Sequence, residues 1–522
     1  MIKLISTFFK KYRTEIIILL AIGVLYFISR LILITKPLVY TDEAEYIHFA
    51  QVALSTPYSL LVSQQDGRQP LFIWAISFFL LFIKDPLLAG RLVSVFSGFI
   101  TMTGLGVLSY LLFKKKNLSS LAMILYLFYP FAIVYDRMAL LDSMVSAIII
   151  WILITSILLV KYLRIDIAYT LGLLAGAAVI TKSNALLGFY LIPVSLIFFD
   201  FKKNKKLLRL AKWIFCLFIV YFISQIFNLI IILDPNYQIV LSANSLFIYP
   251  LKIFIHLPIN FIIKNFINNE ITLFNYVIEY LKLPYIFLVL VSLLFIKKYW
   301  REKIFLFLYF ILPISIYAIF GKTQHLLPRH ILYASLPLLI LSAWALNNIL
   351  EFTKTYFKKN KLKYYLSMIT ILIVFLGYSG YACLTFIFTP QTSLIAAWDK
   401  VAYTDQGIAW GFNDSITFFK NQAKNQKIFI AANGWQGVMP DALEMYLIGD
   451  KNIQIQRYKN SNFVYEDVYS HQKTAKTYFV SFGNKNENFP EKYNLRLISS
   501  TKIGSTNTYY NVYRVMGQKL SD

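Results

Sequence analysis

Residues 114–164 read KKKNLSSLAMILYLFYPFAIVYDRMALLDSMVSAIIIWILITSILLVKYLR, and this stretch determines the class of fold. Two apolar runs, 118–135 and 138–160, are each close to the roughly 20 residues that a helix needs to cross a bilayer. Basic clusters bound the stretch at both ends, and a short loop with Arg137 and Asp142 joins the two runs. Because basic residues favour the cytoplasmic side of a membrane, the stretch predicts two spanning helices with both basic ends inside.

The same pattern extends along most of the chain. Hydrophobic residues make up 58% of the 522 residues, aromatic residues make up 17%, and the mean hydropathy is +0.59. A soluble fold of this composition would expose more apolar surface than water tolerates. The sequence therefore predicts a polytopic α-helical membrane protein with about 11–13 spans. The candidate spans lie near residues 15–35, 71–84, 88–113, 118–135, 138–160, 166–182, 185–200, 209–233, 283–297, 303–321, 330–350 and 364–388.

The net charge of +25 comes largely from basic clusters between these runs. Such alternation is typical of the positive-inside rule, and no basic face belongs to a soluble module, so nucleic acid is not an expected partner. The clusters lie at 10–13, 114–117, 161–164, 202–206, 297–303 and 358–363. They predict that the outer face carries residues 36–69, 136–142, 183–184, 234–281, 322–329 and everything after 389.

One conflict concerns residues 70–113. An outer segment 36–69 and an inner cluster at 114–116 require an odd number of crossings between them, yet two apolar runs lie there. Either the short run 71–84 does not fully cross, or the cluster at 114–117 faces outward. The sequence leaves both options open.

The chain changes character after residue 389. The runs KIFIAAN, NIQIQRY, TYFVSFG, YNLRLISS and YYNVYRVM are rich in β-formers, and PDALEMYLIG reads as a helix between the first two. We expect a membrane domain over residues 1–389 and a small extracytoplasmic α/β domain over 390–522. AANGWQGVMP at 431–440 lacks a nucleotide-binding glycine pattern and reads as a turn. Segment 234–281 is predicted to be an outer loop, whose asparagines and Glu270 are candidates for substrate contact.

The stretch LVYTDEAEYIHFA at 38–50 places three acidic residues directly after the first apolar run. DEAE fits a capping box in which Asp42 caps a helix and Glu45 reaches back to the backbone. The following residues have apolar side chains at helical spacing, which suits a helix lying flat in the membrane interface. The alternative is that Asp42 accepts a proton or holds a cation in an outward cavity. Acidic groups near hydrocarbon usually mark function.

Several segments, taken in order, resemble a known family. TDEAEY resembles the acidic motif after the first span of GT-C glycosyltransferases, which use lipid-linked sugars. The likeness is to the protein O-mannosyltransferase and bacterial aminoarabinose transferase branch, glycosyltransferase family 39. GRQPLFIW is similar to a basic-Pro-Pro-Leu-aromatic segment with Gln69 in place of the first proline, and PRHILY has His330 where tyrosine is commoner. The other similar segments are AGRLVS at 89–94, YDRMALLDSM at 135–144 and the Gly-rich run ending in TKSN at 181–184.

This resemblance implies transfer of a sugar from a polyprenyl-phosphate donor to an acceptor on the outer face of the cell membrane. Such a reaction needs a base for the acceptor hydroxyl and positive charge on the departing phosphate. Asp42 is the expected base, and Glu43 is a second catalytic candidate and potential ligand of a divalent metal, although no cofactor is certain. The expected donor-phosphate ligands and supporting residues are Arg68, Arg137, Lys182 and Arg329, and Asp142 and Tyr333. For each cation the alternative is contact with lipid phosphates.

Other function classes fit less well. A transporter or lipid flippase is the main alternative, but the chain shows no duplicated halves, and its charges lie at span ends rather than at mid-span. A scaffold that only presents the tail domain would leave the acidic stretch and the cationic span ends without a purpose. No pair of histidines has metal-binding spacing, and Cys216 and Cys383 lie in apolar runs. The sugar and the acceptor are not specified by the sequence.

Overall fold

The structure, a computed structural model, describes residues 12–202, 204–434, 438–458, 465–485 and 494–516. Each of the twelve predicted apolar runs coincides with a helix or a pair of helices. Among the described residues, eight helices are long and apolar enough to cross a membrane, and a bent pair raises the number to nine. Three further apolar helices are shorter. The predicted fold class, a multi-pass helical membrane protein with a small C-terminal α/β domain, is confirmed.

The helices are numbered in chain order. They are α1 (Arg13–Leu31), α2 (Thr41–Ser55), α3 (Leu71–Leu80), α4 (Pro86–Phe113), α5 (Lys116–Leu127), α6 (Pro130–Asp136), α7 (Asp142–Tyr162), α8 (Ile165–Val179), α9 (Leu186–Tyr190), α10 (Lys206–Ile232), α11 (Tyr237–Phe247), α12 (Leu251–Phe254), α13 (Ile259–Leu294), α14 (Trp300–Phe320), α15 (Leu332–Tyr356), α16 (Lys361–Phe388), α17 (Ala397–Thr404), α18 (Phe412–Ala423), α19 (Val438–Leu447) and α20 (Tyr465–His471). Short 3-10 helices occur at Pro57–Ser59, Val62–Asp66, Ser183–Ala185, Ile192–Phe198, Thr323–His325, Pro328–Ile331 and Pro390–Thr392.

By contact density the chain divides into two compact units. The first unit, the membrane unit, contains Leu61–Phe72, Arg91–Ala396 and the segment that ends at Ile34. The second unit, the tail unit, contains Thr35–Leu60, Ile73–Gly90 and the segment that starts at Ala397. Helix α2, which carries the acidic stretch, therefore groups with the C-terminal residues and not with the membrane bundle. A domain boundary at residue 390, as the sequence predicts, would separate α2 from the C-terminal residues with which it groups.

Helix α15 forms the centre of the membrane unit. All of the most apolar part of the segment Pro328–Tyr356 is buried, whereas only 17% of the corresponding part of α1 is. Helices α10 and α16 are mostly exposed as well, with 28% buried in each. Exposed apolar helix faces suit contact with lipid, so these three helices are at the periphery of the bundle.

The length of helix α3 bears on the odd number of crossings that the basic clusters require between residues 70 and 113. It has ten residues, which rise about 15 Å, half of the roughly 30 Å hydrocarbon core. Helix α4 has 28 residues and is long enough to cross alone. The lengths therefore favour the first of the two options, in which the run at 71–84 does not fully cross.

The prediction of an outer loop over residues 234–281 is wrong, because most of this segment is helical. Helix α13 alone covers Ile259–Leu294, with a break at Lys282 two residues before Pro284. Asn265 and Asn269 lie one helical turn apart on its buried side and donate to Gly321 O at 3.0 and 2.8 Å. Their polar side chains concealed the helix in the sequence, but here they bond the carbonyl groups at the end of α14.

A buried ion pair holds α1 in the membrane unit. Arg30 Nε lies 3.3 Å from Asp136 Oδ2, and both side chains are fully buried. The hydroxyl groups of Tyr26, Tyr126 and Ser143 also donate to this carboxylate, at 3.2, 3.1 and 3.0 Å. Removing one member would leave an uncompensated buried charge, so the network fixes the position of a helix that buries little apolar surface.

The tail domain contains one five-stranded sheet with the order β2-β1-β3-β5-β4. The strands are β1 (Ile428–Asn433), β2 (Ile453–Tyr458), β3 (Lys476–Gly483), β4 (Leu495–Lys502) and β5 (Tyr509–Val515). Strands β1, β2 and β3 are parallel and are connected through helices, whereas β4 and β5 pair antiparallel with β3. The central strands β1 and β3 are buried along most of their length, which indicates that both of their faces are covered. All five predicted strands and the helix after the first are present, while residues 435–437 of the predicted turn lie outside the described residues.

Candidate functional site

Arg68 lies in a tight loop of the membrane unit. Gly67, directly before it, has φ +73°, and a side chain there would meet the Ala243 Cβ at 2.3 Å. Ser63 accepts a bond from the Arg68 amide at 2.9 Å and donates its hydroxyl to the Arg68 carbonyl at 3.1 Å. The glycine and the two bonds together fix the backbone that positions the guanidinium group.

The loop of Arg68 is joined to the loop of Lys182. Gln69 Nε2 donates to Ser183 Oγ at 2.7 Å, and the Leu71 amide donates to Ile180 O at 2.9 Å. Both bonds connect residues next to one cation with residues next to the other. Gln69 stands where the related family has proline, and its amide supplies a contact that proline lacks.

Lys182 forms an ion pair with Asp142 at the start of α7. The distance from Lys182 Nζ to Asp142 Oδ1 is 2.6 Å, and the Asp142 side chain is almost fully buried. Burial lowers the pKa of Lys182, Asp142 raises it, and the positive charges of Arg329 and Arg68 lower it further, for a net lowering. The bonds between the loops of Arg68 and Lys182 bring these two cations into the same region of the membrane unit.

Arg329 and its neighbour His330 complete this arrangement. Both side chains are largely buried, and the charges of Arg68, Lys182 and Arg329 all act on the His330 ring. Tyr317 forms a hydrogen bond of 2.6 Å with His330 Nδ1, and Asn184, next to the Lys182 loop, donates to His330 O at 3.4 Å.

We refer to Arg68, Lys182 and Arg329 as the cationic cluster. Lys182 of this cluster pairs with Asp142. An anion with several oxygen atoms would stabilise the cluster and accept charge-assisted hydrogen bonds from it. Tyr333, a predicted supporting residue, is buried on the first turn of α15.

Arg137, predicted as a fourth phosphate ligand, has a different environment. Its Nη atoms donate to Ser29 O, Arg30 O and Ile32 O at 2.9, 2.9 and 2.8 Å. Arg91 donates to Ile34 O at 2.5 Å in the same region. Both arginines thus bond carbonyl groups at the C-terminal end of α1, where a helix leaves such groups unsatisfied and favours positive charge. The cationic cluster as defined does not include Arg137.

The acidic stretch folds differently from the predicted capping box. Helix α2 begins at Thr41 with Tyr40 as its N-cap, so Asp42 is the second helical residue. Glu43, not Glu45, reaches back, and its Oε2 accepts a bond from the Tyr40 amide at 3.0 Å. Asp42 retains 8% of its accessible surface, and Glu43 retains none. Glu43 therefore has a structural role at the helix start.

Helix α2 also differs from the predicted interfacial helix. The apolar residues Tyr46, Phe49, Ala50 and Ala53 are buried, but so are Ile47 and the three acidic residues. An interfacial helix would leave its polar face to water. Within the tail unit α2 packs on α19, which covers part of its surface.

Charged residues of α2 and the tail domain form a second cluster. His48 Nε2 lies 2.9 Å from Glu444 Oε2, and one ligand atom each of His48, Asp441 and Glu444 lie within 4.8 Å of one another. These three ligand atoms are close enough together to bind one metal ion. Arg457, however, donates to both carboxylates, at 2.8 Å to Asp441 Oδ1 and at 3.0 Å from Nε to Glu444 Oε1. The acidic charge is therefore already compensated by a guanidinium group.

Sequence reasoning missed this second cluster, the Arg30–Asp136 pair and the contacts of Gln69 and His330. His48 precedes Asp441, Glu444 and Arg457 by about 400 positions in the chain, so no local spacing connects it with them. The glutamine at 69 and the histidine at 330 were visible as departures from the family pattern. Those departures were the one available signal.

Comparisons with known proteins concern the fold. No protein-family model matches the chain, and no curated protein matches it in sequence. Its structure is similar to that of ArnT from Cupriavidus metallidurans in the apo state, with a TM-score of 0.57 and 12% identity over 95% of this chain and 97% of ArnT. ArnT bound to undecaprenyl phosphate gives a TM-score of 0.56 and 11% identity over 96% and 98%.

The oligosaccharyltransferase of Archaeoglobus fulgidus in the apo form is also similar. Its TM-score is 0.50 with 11% identity, over 91% of this chain and 70% of that protein. Both relatives are GT-C glycosyltransferases. Similarity over nearly the whole chain at this low identity is a similarity of fold. The fold expected from the motif resemblance is therefore confirmed, and the chain has a GT-C fold.

Proposed function

We propose that the protein is an integral-membrane glycosyltransferase that moves a sugar from a polyprenyl-phosphate donor to an acceptor hydroxyl. The observation that carries the proposal is the cationic cluster. The bonds from Gln69 to Ser183 and from Asn184 to His330 O join the loops of its three members in the membrane unit. The GT-C fold supports it, since ArnT, with the same fold, has been captured bound to undecaprenyl phosphate.

The proposed step is a displacement at the anomeric carbon. The base removes the proton from the acceptor hydroxyl, whose oxygen forms a bond to the anomeric carbon while the bond from that carbon to the phosphate oxygen breaks. The polyprenyl phosphate leaves with the electron pair, and positively charged side chains stabilise its developing charge. We assign the base to Asp42 and the stabilising charges to the cationic cluster.

Orientation is part of the proposal. The alternation of basic clusters supports placing the acidic stretch, the cationic cluster and the tail domain on the extracytoplasmic face of the cell membrane. An α3 that does not cross would put the basic clusters from 10–13 to 358–363 on one side of the membrane, and its length of ten residues supports this interpretation. The acceptor, whether protein, lipid or glycan, would approach from the extracytoplasmic side.

The test uses the full chain, purified in detergent and reconstituted into liposomes. A panel of radiolabelled polyprenyl-phosphate sugars would be supplied with water and with mixed acceptors, and release or transfer of label would be measured. We expect protein-dependent loss of sugar from one donor class, and expect Arg68→Gln and Arg329→Gln to reduce it. The matched control is Arg164→Gln, because Arg164 is exposed and pairs with nearby Asp166.

Two results would contradict the proposal. One is the absence of sugar release or transfer from every donor in the panel. The other is movement of intact labelled donor across the liposome membrane without cleavage, which would identify a flippase instead.

A further inference from the structure

The N-terminal end of α2 is fastened to the segment after α17, within the tail unit. Tyr40 and Ile408 form an isolated antiparallel bridge, and the Thr41 amide donates to Gly407 O at 3.2 Å. A side chain at Gly407 would lie 2.7 Å from the Tyr40 ring, so glycine allows this close approach. These contacts are immediately next to Asp42 in the chain.

The second half of α2 is fastened to α19. His48 Nε2 lies 2.9 Å from Glu444 Oε2, and Gln51 Nε2 donates to Met445 O at 3.0 Å. His48 is six residues after Asp42 on the same helix. A helix is stiff over this length, so a contact at His48 constrains the position of Asp42.

Glu444 is itself held by the sheet of the tail domain. Arg457 on β2 donates to Glu444 and to Asp441, which is one turn earlier on α19. Burial raises the pKa of Glu444, but the hydrogen bonds from His48 and Arg457 lower it more, and the resulting pKa is about 2. Glu444 is thus a charged acceptor that connects a rigid strand to α2.

We propose that His48 and Glu444 are positioning residues for Asp42, through which the tail domain sets the geometry of the base. The inference rests on the proposed function, because it assigns Asp42 a reactive role. Neither residue touches the substrate in this proposal. Since a misplacement of about 1 Å can cost 10²-fold in rate, a helix held at both ends would be required for an effective base.

Two variants separate this role from simple folding. His48→Ala removes the contact with Glu444 and leaves the bonds of Arg457 to Asp441 and Glu444 in place. His48→Gln retains an amide that can donate to Glu444. We expect His48→Ala to lower kcat roughly 10-fold or more with the affinity for polyprenyl phosphate unchanged, and His48→Gln to restore most of the loss.

The matched control is Asp467→Asn. Asp467 on α20 accepts bonds from Gln456 and Tyr458 of strand β2 in the same domain. This variant is expected to lower the melting temperature of the tail domain slightly without changing kcat. A general destabilisation of the domain would affect both variants alike.

A double-mutant cycle with Asp42→Asn is the decisive measurement. If His48 acts through Asp42, His48→Ala costs nothing further once the Asp42 carboxylate is gone. Additive losses in the double variant would overturn the inference, as would a normal kcat for His48→Ala in an active protein.

Hydrogen exchange of the full chain gives an arm that does not need activity. We expect faster amide exchange across Thr41–Ser55 in His48→Ala than in wild type or His48→Gln. Unchanged exchange would show that the contact does not hold α2, and would reject the inference even with an active enzyme. A wild-type protein that transfers no sugar would instead reject the proposed function.

Discussion

At the residue scale, small departures from the family pattern have structural consequences. Gln69 joins the loops of two cations through Ser183, and His330 bonds Tyr317 beside the third. Arg137 matches the pattern, yet its guanidinium group bonds carbonyls at the end of α1. Residue identity at a motif position therefore does not establish which group a side chain contacts.

The first prediction concerns Asp42. Because Glu43 makes the backbone bond at the start of α2, Asp42→Asn removes a charge without removing that bond. We expect the melting temperature to stay near that of wild type and sugar transfer to fall roughly 10²-fold or more, the usual scale for a lost general base. Transfer at the wild-type rate would remove Asp42 from the mechanism.

Glu43→Gln and Glu45→Gln are the controls for this measurement. Glutamine is accepted at the third helical position of a capping box, so Glu43→Gln is expected to cost about 1 kcal/mol of stability or less. Glu45 has no assigned chemistry, and its variant is expected to keep transfer within a few-fold of wild type. A loss in Glu45→Gln as large as that in Asp42→Asn would indicate a general effect of charge on this helix.

The second prediction contrasts Arg329 with Arg137. Hydrogen bonds to charged groups contribute about 1.5–3 kcal/mol, so Arg329→Gln is expected to weaken polyprenyl-phosphate binding by roughly 10-fold or more. Arg137→Gln breaks bonds to three carbonyls, and is expected to lower the melting temperature with little change in binding. Binding by isothermal titration and melting by light scattering would be measured on the same preparations. The reverse pattern would place Arg137 in the phosphate site.

At the scale of elements, polar residues determine how helices end and meet. The asparagines of α13 bond the last carbonyls of α14, and Thr323 donates to the Oδ1 atoms of both asparagines at 3.1 and 2.8 Å. In the tail unit, Glu444 and Arg457 join α19 to β2. These contacts replace water for groups that are buried, and each fixes two elements relative to each other.

The third prediction concerns the pH dependence of this joint. The pKa of Glu444 falls from its ordinary 4.5 to about 2 in the folded chain. A lowered pKa adds stability above pH 4.5 that is lost as the pH falls towards 2. We expect Glu444→Gln to cost about 2 kcal/mol at neutral pH, with the difference from wild type shrinking below pH 4.5.

Hydrogen exchange of peptides covering Val438–Leu447 and Ile453–Tyr458, with wild type and variant compared at each pH, would measure this difference. A variant of the exposed Asp450 on the same segment, Asp450→Asn, serves as the control. A difference between wild type and Glu444→Gln that stays constant from pH 7 to pH 3 would contradict the prediction.

At the scale of the whole molecule, the basic clusters predict one orientation. The fourth prediction is that the tail lies on the face opposite residues 1–14, of which 1–11 lie outside the described residues. Both native cysteines are buried, so an introduced cysteine at an exposed site would react selectively. Lys451→Cys in the tail is expected to react with a membrane-impermeant maleimide in intact cells, whereas Lys359→Cys between α15 and α16 is not. Labelling of Lys359→Cys alone would invert the orientation.

Most of the fold could be predicted from the sequence. Apolar length is a local property, and each of the twelve apolar runs coincides with a helix or helix pair because a membrane span must satisfy its backbone bonds internally. The five β-rich runs gave strands for a similar reason, since side-chain periodicity is local. The loop prediction for segment 234–281 failed because its asparagines bond groups at the end of another helix. A partner that is distant in sequence cannot be recognised from the local pattern.

The candidate site, too, could be predicted from the sequence only in part. The sequence by itself determined a membrane protein with cations and acids at the ends of its spans, because hydrophobicity and charge act residue by residue. Tertiary structure alone decided that the loops of Arg68, Lys182 and Arg329 meet, and that Arg137 bonds the end of α1. It also decided that the helix of Asp42 packs on a domain that follows it by almost 400 residues. Such contacts depend on which loops the folded chain brings together, and the spacing of residues in the sequence does not indicate which loops these are.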